Sequence, residues 1–407
     1  MPTAGSTIKR PRRLRDRSTP PPPTGVPPVV WVVIVCLMAF GAWRAWHSYE
    51  QGRTYLTAVG PGGGAAPALE LTFFPERFAF TAPSPPPPLG SEQLAAGGTL
   101  SVGQELVPER AVVRYSGAGV GTGFTFVENG KRATITLEPP VTVWGQVVET
   151  RPFWWFGWRR DYVPVVGAKV IVMGGGEHGI PLAEVTTGPD GAYEIEGIAA
   201  TRGPIALRVL AADHAIVHAP LDGPAMAVAG QVVRLQRAPP RRGRLLCPEG
   251  CKPDELLILA RGLPGVEAHP DADGNFLLHH VPEELEPRLL VIGLPEHLVA
   301  KPTVARLGVA PTIEVVTAAV VRGVVLDARV SPPVPLGGTL VWSGESAAIR
   351  ADADGRFELR QIVPGTIDIT AQHTYQPKNR KPIVRHGSTV ATVEPGQELG
   401  DVVIEVQ

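Results

Sequence analysis

Three copies of one short motif constrain this chain more than anything else in it. They read Asp190-Gly191-Ala192-Tyr193-Glu194-Ile195, Asp273-Gly274-Asn275-Phe276-Leu277-Leu278 and Asp354-Gly355-Arg356-Phe357-Glu358-Leu359. Asp-Gly is a strong hairpin signal, because glycine accepts positive φ and Asp bonds nearby backbone. The aromatic two residues beyond the glycine and the aliphatic four beyond it share one face of the following strand. Tyr193, Phe276 and Phe357 are therefore expected core anchors, each worth about 1.5–3 kcal/mol in buried area. A β-branched residue follows seven after each glycine, as Ile198, Val281 and Ile362, and the glycines recur every 81 to 83 residues. That period suits a small β-domain.

The segments around the motif line up as well. Each copy opens with a strand containing a glycine: Gly145-Gln146-Val147-Val148, Gly243-Arg244-Leu245-Leu246 and Gly323-Val324-Val325-Leu326. A second apolar strand follows, as Val170-Ile171-Val172, Leu256-Leu257-Ile258-Leu259 and Leu340-Val341-Trp342. Beyond the turn come alternating runs such as Ile205, Leu207, Val209 and Ile367, Ile369, Ala371. Short strands with period-two patterning and regular turns predict antiparallel β-sandwiches. No helical period persists for three turns after residue 47.

This order of glycine strand, aliphatic strand and Asp-Gly-x-aromatic-x-aliphatic, with Val363-Pro364-Gly365 in the third copy, resembles the carboxypeptidase regulatory-like domain. The resemblance covers about 141–407. It implies tandem transthyretin-like (prealbumin-like) sandwiches of seven strands, which serve as non-catalytic modules in many proteins. The domains expected are a repeat at 141–238, a second at 239–318 and a third at 319–407. Residues 69–140 carry further strand signals, among them Phe78-Ala79-Phe80, but no Asp-Gly-aromatic motif. They form either a fourth, divergent copy or a different β unit.

The N-terminus sets the compartment. Lys9, Arg10, Arg12, Arg13, Arg15 and Arg17 lie in a basic, proline-rich tail over 1–25, expected to be disordered, and an uncharged apolar stretch runs from Val26 to Trp43. Extended to Trp46, it is long enough to cross a hydrocarbon core of roughly 30 Å as a helix. Trp31, Trp43 and Trp46 lie towards its ends, and the positive charges precede it, so the tail is expected on the cytoplasmic side. Ala39-Phe40-Gly41 is a poor cleavage site for a signal peptide. A single-pass anchor over 26–46 in the inner (cytoplasmic) membrane, a Gly/Pro-rich linker over 47–68 and extracytoplasmic β-domains follow. With a net charge of −1, the chain is not expected to bind nucleic acid.

The chemistry-bearing patterns are weak. Asp271-Ala272-Asp273-Gly274 and Asp352-Ala353-Asp354-Gly355 invite a calcium reading, yet the first and twelfth loop positions hold His269 and His280, or Arg350 and Gln361. An EF-hand needs oxygen ligands there. His280-Val281-Pro282-Glu283 has a zinc-peptidase spacing, but Pro282 breaks the helix that would aim both ligands. Gly117-Ala118-Gly119-Val120-Gly121-Thr122-Gly123 lacks the last glycine of a dinucleotide loop and any following helix. No catalytic, metal or cofactor site is expected. Cys247 and Cys251 could clip a hairpin in an oxidising compartment, remain free thiols or bind metal.

One departure stands out. From strand glycine to turn glycine is 31 or 32 residues in the second and third copies but 46 in the first. The excess holds Phe153, Trp154, Trp155, Trp158, Arg159, Arg160 and Tyr162, expected as a loop at one end of the sandwich. Trp and Arg dominate interface hot spots, and flat rings also stack on sugars. This loop either covers the sandwich end, contacts an envelope protein or glycan, or touches the membrane. The expected function is non-catalytic: binding or spacing in the cell envelope, with a carbohydrate-binding module or an accessory subunit of an enzyme on another chain as alternatives.

Overall fold

A computed structural model describes residues 53–76, 87–152, 160–175, 179–199, 203–221, 230–344, 346, 348–376 and 381–407. The expected tail and membrane span at 1–46 lie outside the described residues, as does Phe78-Ala79-Phe80. Among the described residues no helix is long and apolar enough to cross a membrane. The described chain is all-β, with two short 3-10 turns at Pro61–Gly63 and Pro253–Glu255.

One two-sheet topology occurs four times. In the first motif-bearing sandwich, one sheet places Pro140–Pro152 between Ala192–Ala199 and Gln231–Leu235. The other runs Ile180–Thr186, Lys169–Gly174, Ile205–Leu210, Val217–Leu221. The first strand pairs antiparallel with the strand after the Asp-Gly turn and parallel with the last strand. The second sandwich repeats this around Arg241–Leu246 and the third around Ala319–Asp327. Each encloses its own apolar core.

The fourth copy comes first in the chain. Thr54–Val59 lies between Thr99–Val102 and Arg132–Thr136, antiparallel to one and parallel to the other. Its second sheet runs Gly90–Leu94, Leu69–Pro75, Arg110–Gly117, Val120–Glu128. This corrects the expected linker over 47–68: residues 54–59 are the central strand of a sheet, with Thr54 and Leu56 fully buried. The Thr54–Val59 run alternates like any half-buried strand. The following Gly60-Pro61-Gly62-Gly63-Gly64 is a tight turn, in which Gly60 N–H donates to the Gly64 carbonyl at 2.8 Å.

The motif works through pairs of residues. Tyr193, Phe276 and Phe357 stand directly across from Gly145, Gly243 and Gly323 of their first strands. A Cβ at Gly243 would run into the Phe276 ring; at Gly145 and Gly323 it would meet the Gln231 and Val402 carbonyls first, then the Tyr193 hydroxyl and the Phe357 ring. The strand glycine and the aromatic are thus one packing unit, the ring lying where the missing side chain leaves room. The turn glycines Gly191, Gly274 and Gly355 have φ of 73°, 81° and 71°. Each also passes against the first strand, its carbonyl accepting from Val147, Leu245 or Val325 N–H at 2.7–2.8 Å. In the first-lying sandwich the same register opposes Leu56 to Leu100. Leucine against leucine replaces glycine against aromatic, which hides this copy from a motif search.

The carboxylate that ties the turn is not the one next to glycine in the second and third repeats. Asp271 Oδ1 accepts from Asp273 N–H (3.0 Å) and Asn275 N–H (2.7 Å). Asp352 does the same for Asp354 (2.9 Å) and Arg356 (2.8 Å). In the first repeat Gly188 holds that place, and Asp190 itself accepts from Ala192 N–H at 3.0 Å. The backbone bonds to Asn275, with its side-chain amide next, hold the Asp271 carboxyl below its ordinary value.

Neighbouring sandwiches interlock. Thr122 pairs with Ile198, joining the first-lying sandwich edge to edge with the first repeat, and Phe74, Val112 and Phe124 enter that repeat's core. At the next junction Ile216 enters the core of the second repeat, and its N–H donates to the His280 carbonyl at 2.9 Å.

Candidate binding surface

The inserted residues of the first repeat build a hairpin. Arg160–Pro164 pairs antiparallel with the far end of Pro140–Pro152, from Val148↔Pro164 to Pro152↔Arg160. The third repeat has the same hairpin in reduced form, with Asp327↔Val334 and Leu326↔Pro335. Of the residues expected in an end loop, Arg160 and Tyr162 lie in this strand, because Tyr162-Val163 and Val147-Val148 supply β-formers on both sides. Phe153, Trp154, Trp155, Trp158 and Arg159 lie outside the described residues. Arg160 opens the second stem strand.

Tyr162 is 49% exposed on that strand, and the Arg234 guanidinium stands 5.3 Å from its ring centroid. Such cation–π contacts hold a ring in place at about 0.5–1 kcal/mol when exposed. Arg234 lies on the last strand of the same sheet, opposite Val148. The outer face of this sheet carries two further apolar groups, Trp144 at 47% and Val232 at 57% exposure. Val232 pairs with Gln146, two residues along the strand from Trp144, and Gln146 Nε2 donates to the Asp190 carbonyl at 2.7 Å. Trp144, Gln146, Val232, Arg234 and Tyr162 therefore form a stripe leading to the hairpin. Sequence reading named Tyr162 but not Trp144. The alternation Val143-Trp144-Gly145-Gln146-Val147 was the available signal, since it turns Trp144 outward when Val143 and Val147 are buried.

Beneath the hairpin stem lies a charged cluster that is structural. Glu149, 6% exposed, takes Arg237 Nε on Oε1 at 2.9 Å and faces His214 Nε2 from Oε2 at 3.5 Å. His214 Nδ1 lies 2.6 Å from the Ala212 carbonyl and so carries a proton there. These bonds fix the 211–216 segment that carries Ile216 into the second repeat. Arg241 is buried in that repeat, where its guanidinium donates to the carbonyls of Ala305 (2.6 Å), Pro282 (2.7 Å) and Leu285 (2.9 Å). Burial lowers its pKa, and Glu286 and Glu283 act against that.

The remaining sequence candidates separate. Cys247 and Cys251 face one another across a tight turn with Cα atoms 5.5 Å apart, within disulfide reach. The Asp271 and Asp352 carboxylates are occupied by their own turns. His280 adopts φ 64° and directs Nδ1 at the His214 carbonyl, 3.0 Å away, with no geometry shared with Glu283. Among the described residues no three His, Cys, Asp or Glu side chains converge as a metal site.

No family model and no curated protein matches the chain. Solved structures that resemble it include the TIE protein of Bacillus anthracis, with 8% identity and a TM-score of 0.16 over 88% of this chain. The chain spans about half of that protein, 51% of its length. The major pilin subunit BcpA of Bacillus cereus shares 12% identity over 66% of this chain and 99% of its own, with a TM-score of 0.18. The minor pilin GBS52 of Streptococcus agalactiae shares 9% over 46% and 96%, with a TM-score of 0.23. Scores this low leave the fold to rest on the sheets themselves, and function on the surface just described.

Proposed function

We propose that this chain is a non-catalytic, single-pass membrane protein that displays tandem β-sandwich modules of the carboxypeptidase regulatory-like kind in the cell envelope. The span is 26–46, the basic tail is cytoplasmic and the sandwiches lie outside. The first repeat makes the contact with an envelope partner. One observation carries this reading: among the described residues, the first-strand sheet of the first repeat alone extends into a five-pair hairpin stem beside an exposed Trp-Val-Tyr-Arg stripe. Hot-spot chemistry is concentrated where the repeat pattern is broken.

A glycan is the second reading, favoured by the exposed rings of Trp144 and Tyr162 beside hydrogen-bonding Gln146 and Arg234. An accessory role beside an enzyme on another chain is the third. Binding of residues 47–407 to envelope polysaccharide, compared with Trp144→Ala, Trp155→Ala and Trp158→Ala variants, separates them. Loss of polysaccharide binding in the variants supports the glycan; no polysaccharide binding at all leaves a protein contact. A reporter fused after Gln407 that is active only in the cytoplasm would overturn the topology. In the oxidising compartment we expect Cys247 and Cys251 to be bonded, so alkylation without reductant should leave both unlabelled.

A further inference from the structure

A second site lies where the first-lying sandwich meets Gly203 of the first repeat. A cavity of about 260 Å³ opens between the neighbouring strands Val120–Glu128 and Arg132–Thr136. Its walls include Tyr115, Phe124, Phe126, the hydroxyl-bearing Thr134 and Thr136, and the carboxylate of Glu138. The Phe124 and Phe126 rings meet edge to face, with centroids 5.7 Å apart and planes at 85°, so they form two walls of a corner. Phe126 is 41% exposed although it borders a space that a ligand would fill.

Glu138 is the only charged side chain among the described lining residues. Arg114, opposite Phe124 on the adjacent strand, keeps its charge but lies over Phe74 and donates to the Pro181 carbonyl, and Arg132 lies over Tyr55. Burial, and secondarily Glu138, push the Tyr115 hydroxyl up to about 12, so it stays neutral and Glu138 supplies the charge among the described lining residues. Perpendicular aromatic faces with a carboxylate beside them attract a positive charge that is weakly hydrated. The volume is below that of sites for drug-sized molecules, roughly 300–1,000 Å³. We propose that this cavity binds a small alkylated ammonium group, free or as part of a headgroup, with Phe124 and Phe126 facing the cation and Glu138 balancing its charge.

Saturation-transfer NMR on the full-length chain tests this with choline as the probe and 3,3-dimethyl-1-butanol as its neutral isostere. Choline should receive saturation and the isostere should not, because shape is matched and only the charge differs. Phosphocholine, run in parallel, distinguishes a headgroup from a free amine: stronger transfer than choline assigns the headgroup, weaker transfer the free amine. Phe126→Leu and Glu138→Gln should each reduce the choline signal several-fold while the melting temperature holds; both side chains border solvent. Equal transfer to choline and the isostere would overturn the proposal, as would absent choline transfer or a signal that either variant leaves unchanged.

Discussion

At the residue scale, the Gly243–Phe276 pair shows how a motif acts as a folding device. Phe276 is 4% exposed and directly opposite Gly243. Phe276→Ala should cost about 3–5 kcal/mol. Gly243→Ala should cost about 1–3 kcal/mol through overpacking against the ring. In the Phe276→Ala background the glycine substitution should cost much less, because the space it invades is then empty. A double-mutant cycle in chemical denaturation reads the coupling. Additive costs would mean that glycine and aromatic serve the fold separately. Asp271 gives a pH-dependent counterpart. Its carboxyl is held below its ordinary value of 3.8 by backbone bonds to Asn275. The stabilisation is therefore fully present above that value and lost as pH falls through the lower folded value. Asp271→Ala should lower stability at neutral pH and flatten the acid limb of the stability curve; an unchanged acid limb would show that the carboxylate contributes nothing.

At the scale of elements, the three motif-bearing sandwiches were legible because turn glycine, aromatic and strand glycine are all sequence-visible. The sandwich that precedes them was not. Its Leu56–Leu100 pair does the same packing without an unusual residue type, and its first strand, Thr54–Val59, precedes a glycine-rich turn that reads as a tether. The stem of the aromatic hairpin was likewise obscured, since pairing of Thr150 with Tyr162 depends on register across an insertion. A soluble chain beginning at Arg53 should fold cooperatively, whereas one beginning at Leu69 loses the strand between Thr99–Val102 and Arg132–Thr136 and should leave the first-lying sandwich unfolded. Limited proteolysis distinguishes them: protection of residues 90–136 in both chains would mean that Thr54–Val59 is dispensable. The Arg241 anchor makes a parallel case in the second repeat. Arg241→Ala should destabilise by at least about 3 kcal/mol, because three carbonyls lose their charged donor inside the core. Lysine should recover only part of this, lacking the planar fork. Thermal melts of the two variants decide it.

At the scale of the whole molecule, four copies of one sandwich act as a scaffold, and the departures from the repeat carry the function proposed here. On the corresponding sheet of the third repeat the comparable hairpin is two residues a side. Site-specific photo-crosslinking in the protein's own membrane tests this most directly, with the crosslinker at Trp144, Trp155 or Tyr162 and, as control, at Arg360 on the corresponding sheet of the third repeat. We expect one discrete adduct from the first three positions and none from Arg360. Equal labelling at all four positions, or an adduct from Arg360 alone, would contradict the assignment of the first repeat as the contact surface.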